Sequence, residues 1–193
     1  MGLRKWVDEL VIYSMDALSK DEAEEKKNST KGQSWTIEIE GANGIEDVNR
    51  ALGKYVNLKR ISFCTHGFSG GVFFDKGSIM SVNLKRISIP RDLYKGQGQL
   101  LFMGCETARN KEGENFLIAA GRHFFAGKGG VVGGSNVSIM GWTSGSVLPY
   151  ATLNWDTLPE IGKLILYRLD ADGNVVARSL SKNTAFRKLS YPT

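Results

Sequence analysis

The chain has 193 residues, 41% of them hydrophobic and 23% charged, with a formal net charge of +5. That composition supplies one packed core and excludes general disorder. The basic residues fall in pairs (Lys26-Lys27, Lys59-Arg60, Lys85-Arg86) broken up by acids, without the aromatic interleaving of a nucleic-acid groove, so the charge reads as a solvated mixed surface with no nucleic-acid partner.

No run reaches the roughly 18 apolar residues that a spanning helix needs, and the charged start MGLRKWVDELVIYSMDALSK is unlike a signal peptide. No membrane partner is expected. A cytoplasmic location is, with a secretion system independent of signal peptides as the route by which such a chain reaches another cell. The two cysteines, Cys64 and Cys105, are too few for a disulfide framework and fit a reducing compartment.

In chain order, Val7, Leu10, Val11, Met15 and Leu18 keep helical spacing, and SKDEAEEKKNSTKGQ after them reads as a fraying helix end and an exposed loop. SWTIEIEG alternates as a strand and GANG turns. Ile45, Val48, Leu52, Tyr55 and Val56 again give a helical face. RISFCTHG is a short apolar strand, and GGVFFDKGSIMSV reads as a hairpin turning near Asp75-Lys76-Gly77.

QLLFMGC is the next strand. The helix after it has Glu112 and Glu114 in its first turn and Phe116, Leu117, Ala120 and Phe124 on one face, and it stops before Gly127. GGVVGGS, SIMGWTSGSVLPY and the pair within KLILYRLDADGNVVARSL add further strands. The heptapeptide VNLKRIS occurs at Val56–Ser62 and again at Val82–Ser88, without the third copy a solenoid needs.

Strands alternating with helices predict an α/β fold: a mainly parallel sheet covered on both faces, with a β-hairpin insertion after the histidine. One domain is expected over residues 1–193. Within it, an N-terminal helix and charged loop occupy 1–34, the core 35–145 and C-terminal strands 146–193.

Sites in open parallel sheets form beyond the carboxyl ends of the strands. RISFCTHG and QLLFMGC end in His66-Gly67 and Gly104-Cys105, so adjacency of the two strands puts an imidazole beside a thiol. A free thiol with a pKa of about 8.5 needs such a base to act as a nucleophile at neutral pH. The N–H groups of Gly67 and Cys105 are placed to hold a developing oxyanion. The plainer reading makes His66 a hydrogen-bonded histidine at a strand end and Cys105 a small buried hydrophobe.

Other motifs fit less well. Gly67-Phe68-Ser69-Gly70-Gly71 matches G-x-S-x-G, but the serine elbow must lead into a helix, and VFFDKGSIMSV follows. Cys64, His66, Cys105 and His123 lack usual zinc spacing, so no metal and no other cofactor is expected. Gly127-Lys128-Gly129-Gly130 enters a strand, where a phosphate loop opens a helix; it reads as a helix stop. Cys64 faces the same side of its strand as His66, deeper in the sheet, and reads as a structural thiol.

The stretch ISFCTHGFSGG followed by LLFMGCETARNKEGENFLIAAGRHFFAGKGGVVGGS resembles the caspase-like clan (clan CD) of cysteine peptidases. It is most similar to the CHAT branch, which includes separase-like enzymes, and to the related bacterial domain of unknown function that shares its histidine and cysteine motifs. The likeness covers about residues 58–136.

It implies a caspase-like three-layer αβα sandwich and a cysteine endopeptidase working through a Cys-His dyad and an acyl-enzyme. Cys105 would be the nucleophile, His66 the general base and Gly67 an oxyanion donor. In this clan a side pocket selects the residue before the cut. Asp75, Glu106 and Asp156 are candidate acids for it, which would favour Arg or Lys. The expected partners are a protein or peptide substrate and an inhibitor, immunity or activating protein, and a role as bacterial effector or toxin fits. The rival from another class is a catalytically silent interaction or scaffold domain of the same fold.

Overall fold

Leu10, Val11 and Ile12 are all fully hidden from water, and so are Ile61, Ser62, Phe63 and Cys64. Consecutive buried residues mark strands inside a sheet covered on both faces. The computed structural model describes residues 4–28, 34–136 and 164–181. In chain order its elements are β1 (Lys5–Trp6), β2 (Glu9–Ser14), α1 (Ala17–Asn28), β3 (Ile37–Ala42), α2 (Ile45–Leu52), β4 (Tyr55–Val56) and β5 (Leu58–Cys64). Then come β6 (His66–Phe68), β7 (Gly71–Phe74), β8 (Gly77–Met80), a 3-10 turn (Ser81–Arg86), β9 (Tyr94–Phe102), α3 (Asn110–Phe125), β10 (Gly130–Ser135), β11 (Leu164–Leu169) and β12 (Val175–Ser181).

Among the described residues the main sheet has seven strands in the order β12-β11-β10-β9-β5-β2-β3. From β10 to β3 every pairing is parallel, while β11 runs antiparallel to both β10 and β12. The fold is mixed α/β, with helices on both faces. Alternation along the strands sends Leu10, Ile12, Ile61, Phe63, Leu100 and Phe102 to the side covered by Val48 and Leu52 of α2 and by Phe116, Ala120 and Phe124 of α3. Val11, Cys64, Leu101 and Met103 face the other side, against Ala23 of α1. Directly after β5, the strands β6, β7 and β8 form a small antiparallel sheet whose Val72, Phe74 and Ile79 join the first of these clusters.

The N-terminus departs from the sequence expectation. The segment expected to be a helix is β2, and the charged segment expected to be a fraying end and loop carries α1. Short apolar runs suit a strand or a helix equally. Here the β-branched Val11 and Ile12 sit between two parallel partners, β5 and β3, which bury both faces. Helix formation begins instead at Asp16, whose Oδ1 accepts the Ser19 N–H at 2.9 Å as an N-cap. SIMGWTSGSVLPY lies outside the described residues.

Only Ser19 and Ala23 of α1 are buried, so apolar contact cannot be its main anchor. Charge supplies one. Glu9 of β2 is 1% exposed and binds Lys26 of α1. It accepts hydrogen bonds from Ser62 Oγ at 2.5 Å and Trp35 Nε1 at 3.2 Å, and faces Arg60 Nη1 at 3.4 Å. Burial alone would raise the Glu9 pKa, but the charges of Lys26 and Arg60 and the Ser62 hydrogen bond overcome it and hold the carboxyl below its ordinary value of 4.5.

Breaking such a pair leaves a buried charge poorly compensated. Lys26→Met should therefore cost about 3 kcal/mol in urea unfolding at neutral pH. A depressed carboxylate pKa contributes stability above its unfolded value and loses it as pH falls through the folded one. The gap between wild type and variant should accordingly narrow below about pH 4.5. A gap that stays constant down to pH 3 would place the role of Lys26 in packing.

Candidate active site

β5 and β9 run parallel with Arg60 beside Gln99, Ile61 beside Leu100, Ser62 beside Leu101 and Phe63 beside Phe102. The register continues past the strand ends: Met103 donates its N–H to the Phe63 carbonyl at 2.9 Å, and the sulfurs of Cys64 and Met103 stand 3.6 Å apart. Carried on, the same offset would bring Thr65 to Gly104 and His66 to Cys105, but β5 ends at Cys64 and His66 opens β6, which pairs with β7. The two motifs leave neighbouring strands at one level, at the carboxyl end of the parallel sheet.

Two glycines let the backbones touch there. A Cβ on Gly67 would stand 2.4 Å from the Cys105 carbonyl oxygen and 2.8 Å from the Gly104 carbonyl carbon. One on Gly104 would stand 2.8 Å from the Thr65 oxygen and 2.9 Å from Gly67 Cα. Space, not backbone angle, is what these positions require.

The loop after Cys105 is tightly built. Glu106 adopts a left-handed φ of 55°, a conformation that costs a non-glycine residue about 1 kcal/mol or more and recurs at functional sites. Thr107 is fully buried, and Ala108 N–H donates to the Ser135 carbonyl at 2.8 Å, tying the loop to β10. Cys105 is partly exposed and the His66 side chain 58% exposed, so both are open to solvent. Cys64 is completely buried, and burial pushes its thiol up to about 12. The two thiols thus differ in their access to solvent.

A third group stands with them. Asp16 follows β2, the other neighbour of β5, and its Oδ1 lies 3.6 Å from His66 Nε2. Ser14 Oγ donates to the other oxygen, and the Ser19 N–H fixes Oδ1. Burial opposes ionisation of Asp16, but these hydrogen bonds and the nearby His66 outweigh it and hold the carboxyl below its ordinary range. The sequence alone does not single out this residue, because the β2 segment has helical spacing. An aspartate after an apolar run, with serine three residues on, was the available signal for a strand end leading into a capped helix.

The remaining candidates are scattered. Glu106 forms an ion pair with Arg109 at 2.9 Å. Asp75 is exposed in the β7–β8 turn, where the next residue, Lys76, donates its N–H to the Asn43 carbonyl beyond β3. β3 lies three strand positions from β9, roughly 14 Å at the usual spacing, so Asp75 and Glu106 do not share a pocket. Asp156 lies outside the described residues. Ser69 occupies the turn between two strands, and its Oγ donates to the Arg109 carbonyl at 2.5 Å. His123 Nε2 meets the Ile87 carbonyl at 2.8 Å, near the far end of α3 and roughly 20 Å of helix from its start. Among the described residues no group of three or more metal-ligating side chains is gathered, and no helix is long and apolar enough to cross a membrane.

Residues 22–123, more than half of the chain, match the family described as Domain of unknown function (DUF4347). The chain belongs to the DUF4347 family. No curated protein matches it, nor does any solved structure. The DUF4347 region holds both strand-end motifs, from His66-Gly67 to Gly104-Cys105, whereas Asp16 precedes it.

In this DUF4347 protein the glycine contact can be tested directly. Gly67→Ala should lower stability by about 1–3 kcal/mol, since the new methyl meets backbone that cannot rotate away. It should also change the alkylation rate of Cys105 while Cys64 stays protected. Unchanged stability and unchanged Cys105 alkylation would show that the two loops are not held in contact.

Proposed function

We propose that this DUF4347 chain is a cysteine endopeptidase built as a caspase-like αβα sandwich, with Cys105 as nucleophile, His66 as general base and Asp16 as the group that positions the imidazole. The observation that carries this reading is the close packing of Gly67, the residue after His66, on Gly104 and the Cys105 carbonyl, beyond the carboxyl ends of the parallel strands β5 and β9. The strained Glu106 beside the thiol and the contrast with buried Cys64 support it.

In this mechanism His66 takes the Cys105 proton, and the thiolate adds to the carbonyl carbon of a peptide bond. The N–H groups of Gly67 and Cys105 receive the oxyanion. The C–N bond then breaks, and the imidazolium delivers its proton to the leaving amine. Water, deprotonated by His66, attacks the remaining thioester, releasing a carboxylic acid and restoring the thiol. Asp16 favours the imidazolium that forms on the way and holds the ring in one orientation, the role a carboxylate plays beside a catalytic histidine. With neither cysteine in a disulfide, a reducing compartment such as the cytoplasm suits the chemistry.

The rate of alkylation by iodoacetamide, followed against pH by peptide mapping, tests the thiol, with Cys64 as internal control. Cys105 should titrate below the free value of about 8.5, and His66→Ala should return it to that value. Asp16→Asn and Asp16→Ser both keep an N-cap for α1 while removing the charge, so each should move the titration toward the free value with little loss of stability. A wild-type midpoint at or above about 8.5 would favour a silent scaffold over a peptidase.

A further inference from the structure

The face of the small sheet that carries His66 also carries two phenylalanines. β6 and β7 pair antiparallel, with His66 opposite Phe73 and Phe68 opposite Gly71. Alternation puts His66, Phe68 and Phe73 on one face and Val72 and Phe74 on the other. Val72 and Phe74 are buried in the core, while Phe73 is 47% exposed. The Phe68 and Phe73 rings lie 4.3 Å apart between centroids. A Cβ on Gly71 would stand 2.5 Å from Phe68 Cζ, so the glycine is what lets the Phe68 ring lie across the strand against Phe73.

This aromatic pair is fixed relative to the thiol. Gly67, between His66 and Phe68 and turned by the same alternation to the other face, packs on the Cys105 carbonyl, and Ser69, one residue beyond Phe68, binds the Arg109 carbonyl. These contacts tie the hairpin to the loop after Cys105. On the dyad reading, a substrate carbonyl held at His66 has its neighbouring side chains beside Phe73, the direct cross-strand neighbour of His66. Two acids near the motifs are already engaged: Glu106 is paired with Arg109, and Asp16 is held by Ser14, Ser19 and His66.

We propose that Phe68 and Phe73 form an apolar subsite that receives an apolar or aromatic side chain of the substrate, adjacent to the bond that Cys105 attacks. This inference rests on the peptidase reading and gives it a substrate class: protein segments with an exposed apolar residue next to the cut. It replaces the basic preference that an acidic pocket of Asp75, Glu106 and Asp156 would have produced.

The test uses the full chain and dipeptidyl chloromethyl ketones carrying Phe, Leu, Lys or Asp next to the electrophile, with iodoacetamide as a reagent too small to need a subsite. Each ketone rate at Cys105 is divided by the iodoacetamide rate of the same variant. Phe and Leu ketones should react at least about tenfold faster than the Lys ketone on this scale. Phe73→Ser and Phe68→Ser should remove most of that preference, and Phe73→Leu should keep it. Equal rates for all four ketones, or a preference untouched by both serine substitutions, would overturn the subsite while leaving a reactive Cys105 and the peptidase reading in place. A Cys105 as inert to iodoacetamide as Cys64 would overturn both.

Discussion

The parallel register between β5 and β9 decides which residues meet at the end of the sheet, and the core is arranged so that it cannot slip. Phe63 and Phe102 lie side by side in that register, their rings stacked 5.1 Å apart and within 8° of parallel, with Phe124 of α3 edge-on to Phe63 at 6.1 Å. A slip of one residue would turn Phe102 to the opposite face and bring Leu101 under α3. Beyond the strands the constraint passes to backbone, where Gly67 and Gly104 fit against each other with no room for a Cβ on either. The register that packs the core thus brings together the loops that carry His66 and Cys105.

Three consecutive strands of the sheet each deliver one group to this end: β2 leads to Asp16, β5 to His66 and β9 to Cys105. Asp16 also opens α1, and α1 is held to the sheet by Lys26 on Glu9, which in turn accepts from Ser62 in the middle of β5. The carboxylate beside the histidine is therefore anchored at both ends of its helix. Cys64 and Cys105 divide along the same axis. The first lies inside the sheet, where burial suppresses its thiolate, and the second lies where the sheet stops.

Part of this order was legible in the sequence: the apolar runs of RISFCTHG and QLLFMGC lie in β5 and β9, which stop at Cys64 and Phe102, just short of His66 and Cys105. α3 was equally legible from Phe116, Leu117, Ala120 and Phe124, which the structure buries on one face. What failed to show was decided by tertiary partners. VNLKRIS is the clearest case. Its first copy leads into β5, and its second is the 3-10 turn with Val82 86% exposed, yet Leu58, Ile61, Leu84 and Ile87 are all buried. The same residues satisfy burial in two conformations, so local propensity does not choose between them. The β2 segment was hidden for the same reason, and with it went Asp16. The acids proposed for a specificity pocket had no spacing to unite them, and Asp75 and Glu106 stand at separate places along the sheet end.

The central claim is a covalent one: Cys105 forms a thioester with the acyl part of a substrate while His66 manages the proton. Intact-mass spectrometry after a brief incubation with an activated peptide ester, quenched in acid, measures this directly. The account predicts one acyl adduct per chain, mapped to the peptide containing Cys105, absent in Cys105→Ala and long-lived in His66→Ala once formed, because deacylation needs the same base. An adduct on Ser69 or Cys64, or none on Cys105 in a protein shown to be folded, would contradict it.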